Sequence, residues 1–246
     1  EDDLMSFGLL TGSYKHHLSG GVVRKNITSF KNEVNLNTGI FTDESVIVDT
    51  IDKLRIAKFS TSSHSYPRWI RDRPIVEGEA VDWGNPVAEM MYEGLRYFSG
   101  KSNATPEYSG YMDSYSVDAS LGLEPTLPTW IDPYGEQQTG GGGFPSCAKP
   151  IQLVISDINN SYDTDQLPGS SFPLNPGEDE LSYFSGDLEG LNVSTLAQTI
   201  WDGESEASTV FIGQSGNLVD DTPSAKPASS FKNIRGLAPE EPAKKG

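Results

Sequence analysis

The segment IQLVIS, residues 151–156, constrains the fold of this chain more than any other, because it has four aliphatic side chains and no charge. It ends at Asp157. An uncharged run of this length is typical of a strand buried on both faces, as in a parallel sheet that helices cover. The segment therefore predicts an inner strand from Ile151 to Ser156 in an α/β fold.

Other apolar segments predict the elements around this strand. Strands are predicted at Met5–Ser13, Gly21–Ile27 and Ser208–Gly213, the first two forming a hairpin, and helices at Ser45–Lys58, Pro86–Phe98 and Val193–Trp201. Because uncharged strands alternate with helices, we expect a three-layer α/β fold with a mostly parallel central sheet and long loop insertions.

The helix at Pro86–Phe98 has the clearest start and stop signals. Asn85 is a good N-cap residue, and Pro86 suits the first helical position, where its missing N–H is not needed. Gly100 predicts the end of the helix. A single apolar stripe is expected to face the core; it consists of Val87, Met91, Leu95 and Phe98.

Regular patterns disappear between Lys101 and Lys149, where Gly, Pro, Ser and Tyr dominate. We interpret residues 101–149 as a loop insertion within one domain at residues 1–216, followed by a linker or C-terminal extension at residues 217–246. The run Gly140–Gly143 predicts a flexible loop. The aromatic residues of the insertion are expected to hold it on the domain surface; they include Tyr108, Tyr111, Tyr115, Trp130 and Tyr134.

Charge and composition exclude several classes of function. With 18 basic and 35 acidic residues the net charge is -17, which disfavours nucleic acid and favours divalent cations. No apolar run is long enough to span a membrane. The single Cys147 cannot form an internal disulfide, and the three histidines lie in polar segments where solvated positions are expected. We find no catalytic signature and therefore predict a protein that is not an enzyme.

The loop after the predicted inner strand is the candidate metal site. Asp157, Asn159, Asp163 and Asp165 offer the hard oxygen ligands that suit Mg²⁺ or Ca²⁺. In an open parallel sheet such a loop lies at the carboxyl end of the strands, where ligands collect. The alternative is that these residues only cap and turn the chain after a strand.

Several stretches together resemble known proteins. GNPVAEMMYEGLRYF and LVISDINNSYD resemble the helix start and the strand end of a von Willebrand factor A domain. The wider resemblance is to the type IV pilus biogenesis and tip-adhesin family, PilC/PilY. It is carried by FGLLTGSY, LSGGVVRKNI, WGNPVAEMMYEGLRYFSGK, LGLEPTLPTWIDPY, CAKPIQLVISDINNSYDTDQLPG and RGLAPEEP, which are spread over nearly the whole chain.

This resemblance implies a von Willebrand factor A-like fold with a metal-ion-dependent adhesion site. Asp157 matches the aspartate loop of that site, and Asn85 stands where the family has a threonine ligand. The D-x-S-x-S turn has only a partial look-alike at Asp118–Gly122, within the irregular insertion. We therefore expect either that the first strand, which carries that turn, is missing from these residues, or that the protein has lost the site; the metal site of this chain is expected to be weak or incomplete.

The resemblance also implies a function. We expect a non-enzymatic module for adhesion and type IV pilus assembly, at the bacterial surface, on the pilus tip or associated with the outer membrane. The implied partners are pilin or minor pilin proteins, a host or abiotic surface, and the remainder of the same polypeptide or another chain. The alternative hypothesis is a metal-dependent hydrolase that uses Asp157, Asp163 and Asp165.

Overall fold

The structure is a computed structural model, which describes residues 5–66, 77–106, 117–123, 129–156, 166–169, 171–173, 181–193, 195–196, 199, 210–212, 218–219 and 226–228. Its helices are α1 (Val46–Lys53), α2 (Val87–Phe98) and α3 (Val117–Ser120). Its strands are β1 (Ser6–Thr11), β2 (Val22–Ser29), β3 (Ser171–Pro173), β4 (Leu181–Tyr183), β5 (Val210–Ile212), β6 (Leu218–Val219) and β7 (Lys226–Ala228).

The predicted N-terminal hairpin is confirmed. β1 and β2 pair in antiparallel register from Ser6 with Ser29 to Thr11 with Val22, with irregular steps on both sides of Leu9. Val22 and Val23 are buried, and Val23 packs with Tyr97 and Trp130 in one of the two apolar clusters of the described residues. The hairpin thus joins α2 to the loop that carries Trp130.

Helix α1 confirms the predicted helix but is shorter than predicted, because the chain becomes extended at Leu54. Its N-terminus is capped by a distant residue. Ser45 makes no side-chain cap, and the buried carboxylate of Glu33 accepts hydrogen bonds from the N–H groups of Val46 (3.1 Å) and Ile47 (2.9 Å). An anion at this position also interacts favourably with the helix dipole.

Helix α2 is confirmed, with one change at its start. The helix begins at Val87, and Pro86 rather than Asn85 occupies the cap position, one residue later than predicted. The Asn85 amide oxygen accepts a hydrogen bond from Ser156. The predicted end is confirmed at Gly100, whose φ of 77° allows hydrogen bonds from Gly100 N–H to Tyr97 and from Lys101 N–H to Arg96.

The buried face of α2 differs from the prediction. The side chains of Glu89, Glu93 and Arg96 are buried, together with Tyr92 and Tyr97. Two residues of the predicted apolar stripe, Met91 (43% exposed) and Leu95 (45%), lie in solvent. The helix turns its charged face inward because these charges find partners there, which the apolar periodicity does not reveal.

Residues 151–156 also differ from the prediction. The segment has no regular secondary structure, and Ile151, Leu153 and Ile155 are 81%, 84% and 90% exposed, so its predicted position as a buried inner strand is wrong. It runs beside α2 in the opposite direction. Gln152 lies against Gly94 and donates a hydrogen bond to the carbonyl of Met91 (3.3 Å), while Ser156 bonds to Asn85.

The strand pairs of the described residues are all antiparallel. β3 pairs with β4, and β5, at the position predicted for the last strand, lies between β6 and β7. Two short strands therefore lie within the predicted linker at residues 217–246. At Val193–Trp201 the described part is a helical turn that Asn192 caps through Thr195 N–H (2.9 Å). The three-layer parallel fold stays a prediction.

The glycine run Gly140–Gly143 lies in a hydrogen-bonded turn, and its flexibility stays a prediction. Gly141, Gly142 and Gly143 donate hydrogen bonds to the carbonyls of Glu136, Asp132 and Gly135. A Cβ atom on Gly141 would lie 2.2 Å from the carbonyl carbon of Gly135. The glycines are needed here for close backbone packing.

Candidate functional site

Asn85 marks the place where the predicted metal loop begins. Its Oδ1 atom lies 3.0 Å from the hydroxyl oxygen of Ser156, the residue just before Asp157. The loop therefore starts beside the N-terminus of α2, where the positive end of the helix dipole favours anions. Of the predicted metal ligands the structure describes only Asn85; those outside the described residues are Asp157, Asn159, Asp163 and Asp165.

Among the residues that the structure describes, no group of three or more His, Cys, Asp or Glu side chains could hold a metal ion.

The partial match to the D-x-S-x-S turn, at Asp118–Gly122, has a structural role. The Asp118 carboxylate is fully buried, lies 2.6 Å from the guanidinium of Arg24, and accepts a hydrogen bond from Tyr14 N–H (3.0 Å). These contacts tie α3 to the β1–β2 hairpin and engage both oxygens of Asp118.

Arg96 is the centre of a second buried ionic network. It donates two hydrogen bonds to Asp187 (2.8 and 3.0 Å), one to Glu93 (3.0 Å) and one to the carbonyl of Asn103 (2.9 Å). Its guanidinium carbon also lies 5.5 Å from the ring centre of Trp130. One side chain thus joins α2 to three separate loops.

The network shifts the pKa values of its members in different directions. Hydrogen bonds from Arg96 lower the pKa of Asp187 from 3.8 to about 2. Burial raises the pKa of Glu93, although Thr105 and Arg96 donate hydrogen bonds to its carboxylate. Burial lowers the pKa of Arg96, but the bonds and charges of Asp187 and Glu93 outweigh it and raise the pKa overall. Burial and the hydrogen bonds within the network therefore act in opposite directions on these groups.

Glu89 connects two further parts of the chain. Its carboxylate is fully buried and accepts hydrogen bonds from Gly20 N–H (2.7 Å) and Gln166 N–H (3.2 Å). Gln166 is the first described residue after the acidic loop. The residues on both sides of that loop are therefore attached near the N-terminus of α2, Ser156 to Asn85 just before the helix and Gln166 to Glu89 in its first turn.

The histidines occupy different environments. His17 is 4% exposed, with Nδ1 3.2 Å from Glu77, so the solvated position predicted for it is wrong. His16 is half-buried, and burial lowers its pKa. His64 is exposed, in agreement with the prediction. The imidazole of His17 is packed within the folded β1–β2 turn, where it contributes to structure.

The position of Trp130 confirms, for one residue, the prediction that aromatic side chains hold the insertion 101–149 on the domain. It is 4% exposed and packs edge-on against Tyr97, with the ring centres 5.8 Å apart. Tyr134 donates a hydrogen bond to the carbonyl of Ala148 (2.9 Å). Tyr108, Tyr111 and Tyr115 lie outside the described residues.

One surface of the molecule is apolar and open, and we call it the apolar ledge. It comprises Met91, Leu95, Ile151, Leu153, Val154 and Ile155. These residues lie on α2 and on segment 151–156, which runs beside it. The sequence pattern identified all six residues as apolar, but it placed them in a core.

No helix in the described ranges is long and apolar enough to cross a membrane.

The ionic partners of α2 were not predicted, because Arg96 and Asp187 are 91 positions apart and nothing local connects them. The only local signal was the acidic and basic face of α2 opposite its apolar stripe, a pattern that normally indicates a solvated face.

Comparison with known proteins identifies the family. The family model described as "PilY1 homolog, second domain" matches residues 7–246. The type IV pilus biogenesis factor PilY1 homolog of Xylella fastidiosa (strain Temecula1) is 43% identical over 262 aligned positions, which cover all of this chain and 17% of that relative. No solved structure gives a significant match. The chain therefore belongs to the PilY1 homolog family and corresponds to its second domain.

Proposed function

We propose that this chain is a non-enzymatic binding module of a type IV pilus assembly protein at the bacterial surface. The observation that carries the proposal is the 43% identity, over the full chain, to a type IV pilus biogenesis factor. Pilin or minor pilin proteins and a surface that the bacterium contacts are the proposed partners. The pilus tip is the proposed location.

The geometry supports binding rather than catalysis. The buried acids of α2 are engaged in structural hydrogen bonds, and the carboxylate of Asp118 pairs with Arg24. A hydrolase needs a base or nucleophile positioned near its metal. His17 is buried in the hairpin turn, with its imidazole beside Glu77.

We further propose a von Willebrand factor A-like fold in which the loop that begins at Asp157 binds Mg²⁺ or Ca²⁺. Asn85 and Ser156 support this, because their hydrogen bond places the start of the loop beside the N-terminus of α2. Hard oxygen ligands suit these two ions. Within the complete protein such an ion would offer an open position to a carboxylate of a partner.

The test compares charge-matched variants in the bacterium that carries the gene. Asp157→Asn combined with Asp163→Asn removes two proposed ligands, and Asp43→Asn at an exposed position is the control. We expect the double variant, at normal protein level, to reduce surface pili and adhesion, and the control to leave both unchanged. Normal piliation and adhesion in a strain that lacks residues 1–246 of the protein would refute the proposed role.

The non-enzymatic assignment has its own test. The purified chain, incubated with p-nitrophenyl phosphate and Mg²⁺, is expected to give no turnover above buffer. Turnover that Asp157→Asn abolishes and Asp43→Asn leaves intact would show a hydrolase instead.

A further inference from the structure

The segment 151–156 combines strand-forming side chains with an unpaired backbone. It contains two isoleucines, a valine and a leucine and lacks Gly and Pro, which is the composition of a strand. Within the described part of the chain, no backbone hydrogen bond reaches these residues. Its N–H and C=O groups are therefore available to an incoming strand.

The segment is held in place before any partner arrives. The Gln152 side chain lies against Gly94 and bonds to the carbonyl of Met91, and Ser156 bonds to Asn85. Between these two attachments, Leu153 and Ile155 point most of their surface into solvent. A preorganised segment loses less conformational freedom when a partner strand pairs with it.

The apolar ledge brings six exposed apolar residues onto two neighbouring segments, whereas exposed apolar residues that occur singly need no explanation. Its six residues lie on α2 and on segment 151–156, which runs beside it, and three of them are more than four-fifths exposed. Exposed apolar residues on neighbouring segments mark an interaction site, because covering them removes apolar area from water.

Among the described strands we find no evident partner for segment 151–156. β5 is the strand that the sequence predicts to follow in the same sheet, but both of its edges are already taken by β6 and β7. The chain spans only 17% of the length of its relative, so a protein of that kind has most of its residues outside this chain.

We propose that segment 151–156 is a docking edge for a β-strand from the same polypeptide outside residues 1–246. The incoming strand pairs with the backbone of 151–156, and its apolar side chains cover the ledge. The inference does not depend on the pilus role, since it rests on the exposure and unpaired backbone of 151–156 and on the share of the relative's length that the chain covers.

Hydrogen exchange tests the backbone pairing. Exchange is followed by mass spectrometry for the 246-residue chain and for the complete gene product that contains it. We expect the amides of 151–156 to exchange at least about tenfold more slowly in the complete protein. Equal, fast exchange in both would overturn the proposal.

Matched substitutions test the apolar contact. Leu153→Lys changes the ledge, and Ile56→Lys changes an isoleucine of similar exposure (75%) outside it. We expect neither variant to alter the melting temperature of the 246-residue chain, and Leu153→Lys alone to lower that of the complete protein. No effect of Leu153→Lys in the complete protein would contradict the proposal.

A second copy of the chain is the competing occupant. Light scattering of the 246-residue chain across a range of concentrations distinguishes the two. We expect a monomer with unprotected amides at 151–156. A dimer in which these amides are protected, and which Leu153→Lys dissociates, would assign the ledge to self-association and refute the proposed strand.

Discussion

The Arg96 side chain contacts several separate parts of the described structure. It is 5% exposed, and it joins α2 to Asp187, to the backbone of Asn103 and to the face of Trp130. A guanidinium group suits this position because its planar fork can form two parallel bonds to the Asp187 carboxylate. A lysine could not make both bonds at once.

Replacing Arg96 is therefore expected to be costly. Arg96→Met leaves the buried Glu93 carboxylate without its cation, and we expect a loss of about 3 to 5 kcal/mol in the free energy of unfolding. Lys53→Met breaks the more exposed pair with Asp49 (2.6 Å) and should cost less than about 0.5 kcal/mol. Urea denaturation measures both values. Similar costs for the two variants would show that the network contributes little.

The low pKa of the Asp187 carboxyl predicts that the stability of the fold changes with pH in the acid range. Because Arg96 lowers its folded pKa to about 2, the ionised form stabilises the fold above the unfolded pKa of 3.8. This contribution is lost as the pH falls through the folded pKa. We expect Asp187→Asn to be less stable than the unmodified chain at neutral pH, and the difference to shrink between about pH 4 and pH 2.

Thermal melts at several pH values check this expectation. Asp43→Asn, at an exposed position, controls for the removal of one negative charge from a chain of net charge -17. A difference between Asp187→Asn and the unmodified chain that stays constant down to pH 2 would exclude the Arg96 bond as its cause.

At the scale of elements, distant residues decide where helices begin and which face they bury. Glu33 caps α1 from outside the helix, and Ser156 donates a hydrogen bond to Asn85 just before α2. The buried carboxylates of α2 bind backbone N–H groups at Gly20, Thr105 and Gln166. Helix α2 is thus a scaffold on which separate loops are fastened.

The glycine turn offers a test at the same scale. An alanine at Gly141 would place its Cβ 2.2 Å from the Gly135 backbone, so we expect Gly141→Ala to cost about 1 to 3 kcal/mol through overpacking. Gly12 has no atom within 4 Å of such a Cβ, and Gly12→Ala is the matched control. Chemical denaturation should separate the two variants. Equal stabilities would mean that the 132–143 turn opens without cost.

For the whole molecule, the net charge of -17 and the proposed loop at Asp157 predict how it responds to divalent cations. The charge attracts Ca²⁺ and Mg²⁺ generally. Specific binding is expected to be weak in this chain. Asn85 stands where a metal-ion-dependent adhesion site has a threonine ligand, and the Asn85 side-chain oxygen already accepts a hydrogen bond from Ser156. Isothermal titration should give weak heats that Asp157→Ala reduces and Asp43→Ala does not. Tight binding abolished by Asp157→Ala would show a complete site.

Local patterns predicted part of this fold correctly. The β1–β2 hairpin, α1, and the end of α2 at Gly100 follow from signals within a few residues: apolar segments around a polar turn, helical spacing and a glycine after the last helical residues. The resemblance across the chain, carried by quoted stretches such as those at α2 and at 151–156, agrees with the family match over residues 7–246.

The sequence by itself determined these local elements and the family, because helical spacing, turn residues and family motifs are readable over short distances. Only the tertiary structure decided which face of α2 is buried, that the Asn85 side chain accepts a hydrogen bond from Ser156, and that residues 151–156 lie exposed. Those outcomes depend on partners such as Asp187, 91 positions from Arg96, and on contacts that residues 151–156 lack among the described strands. Burial is a property of what packs against a segment, so apolar composition alone could not place it.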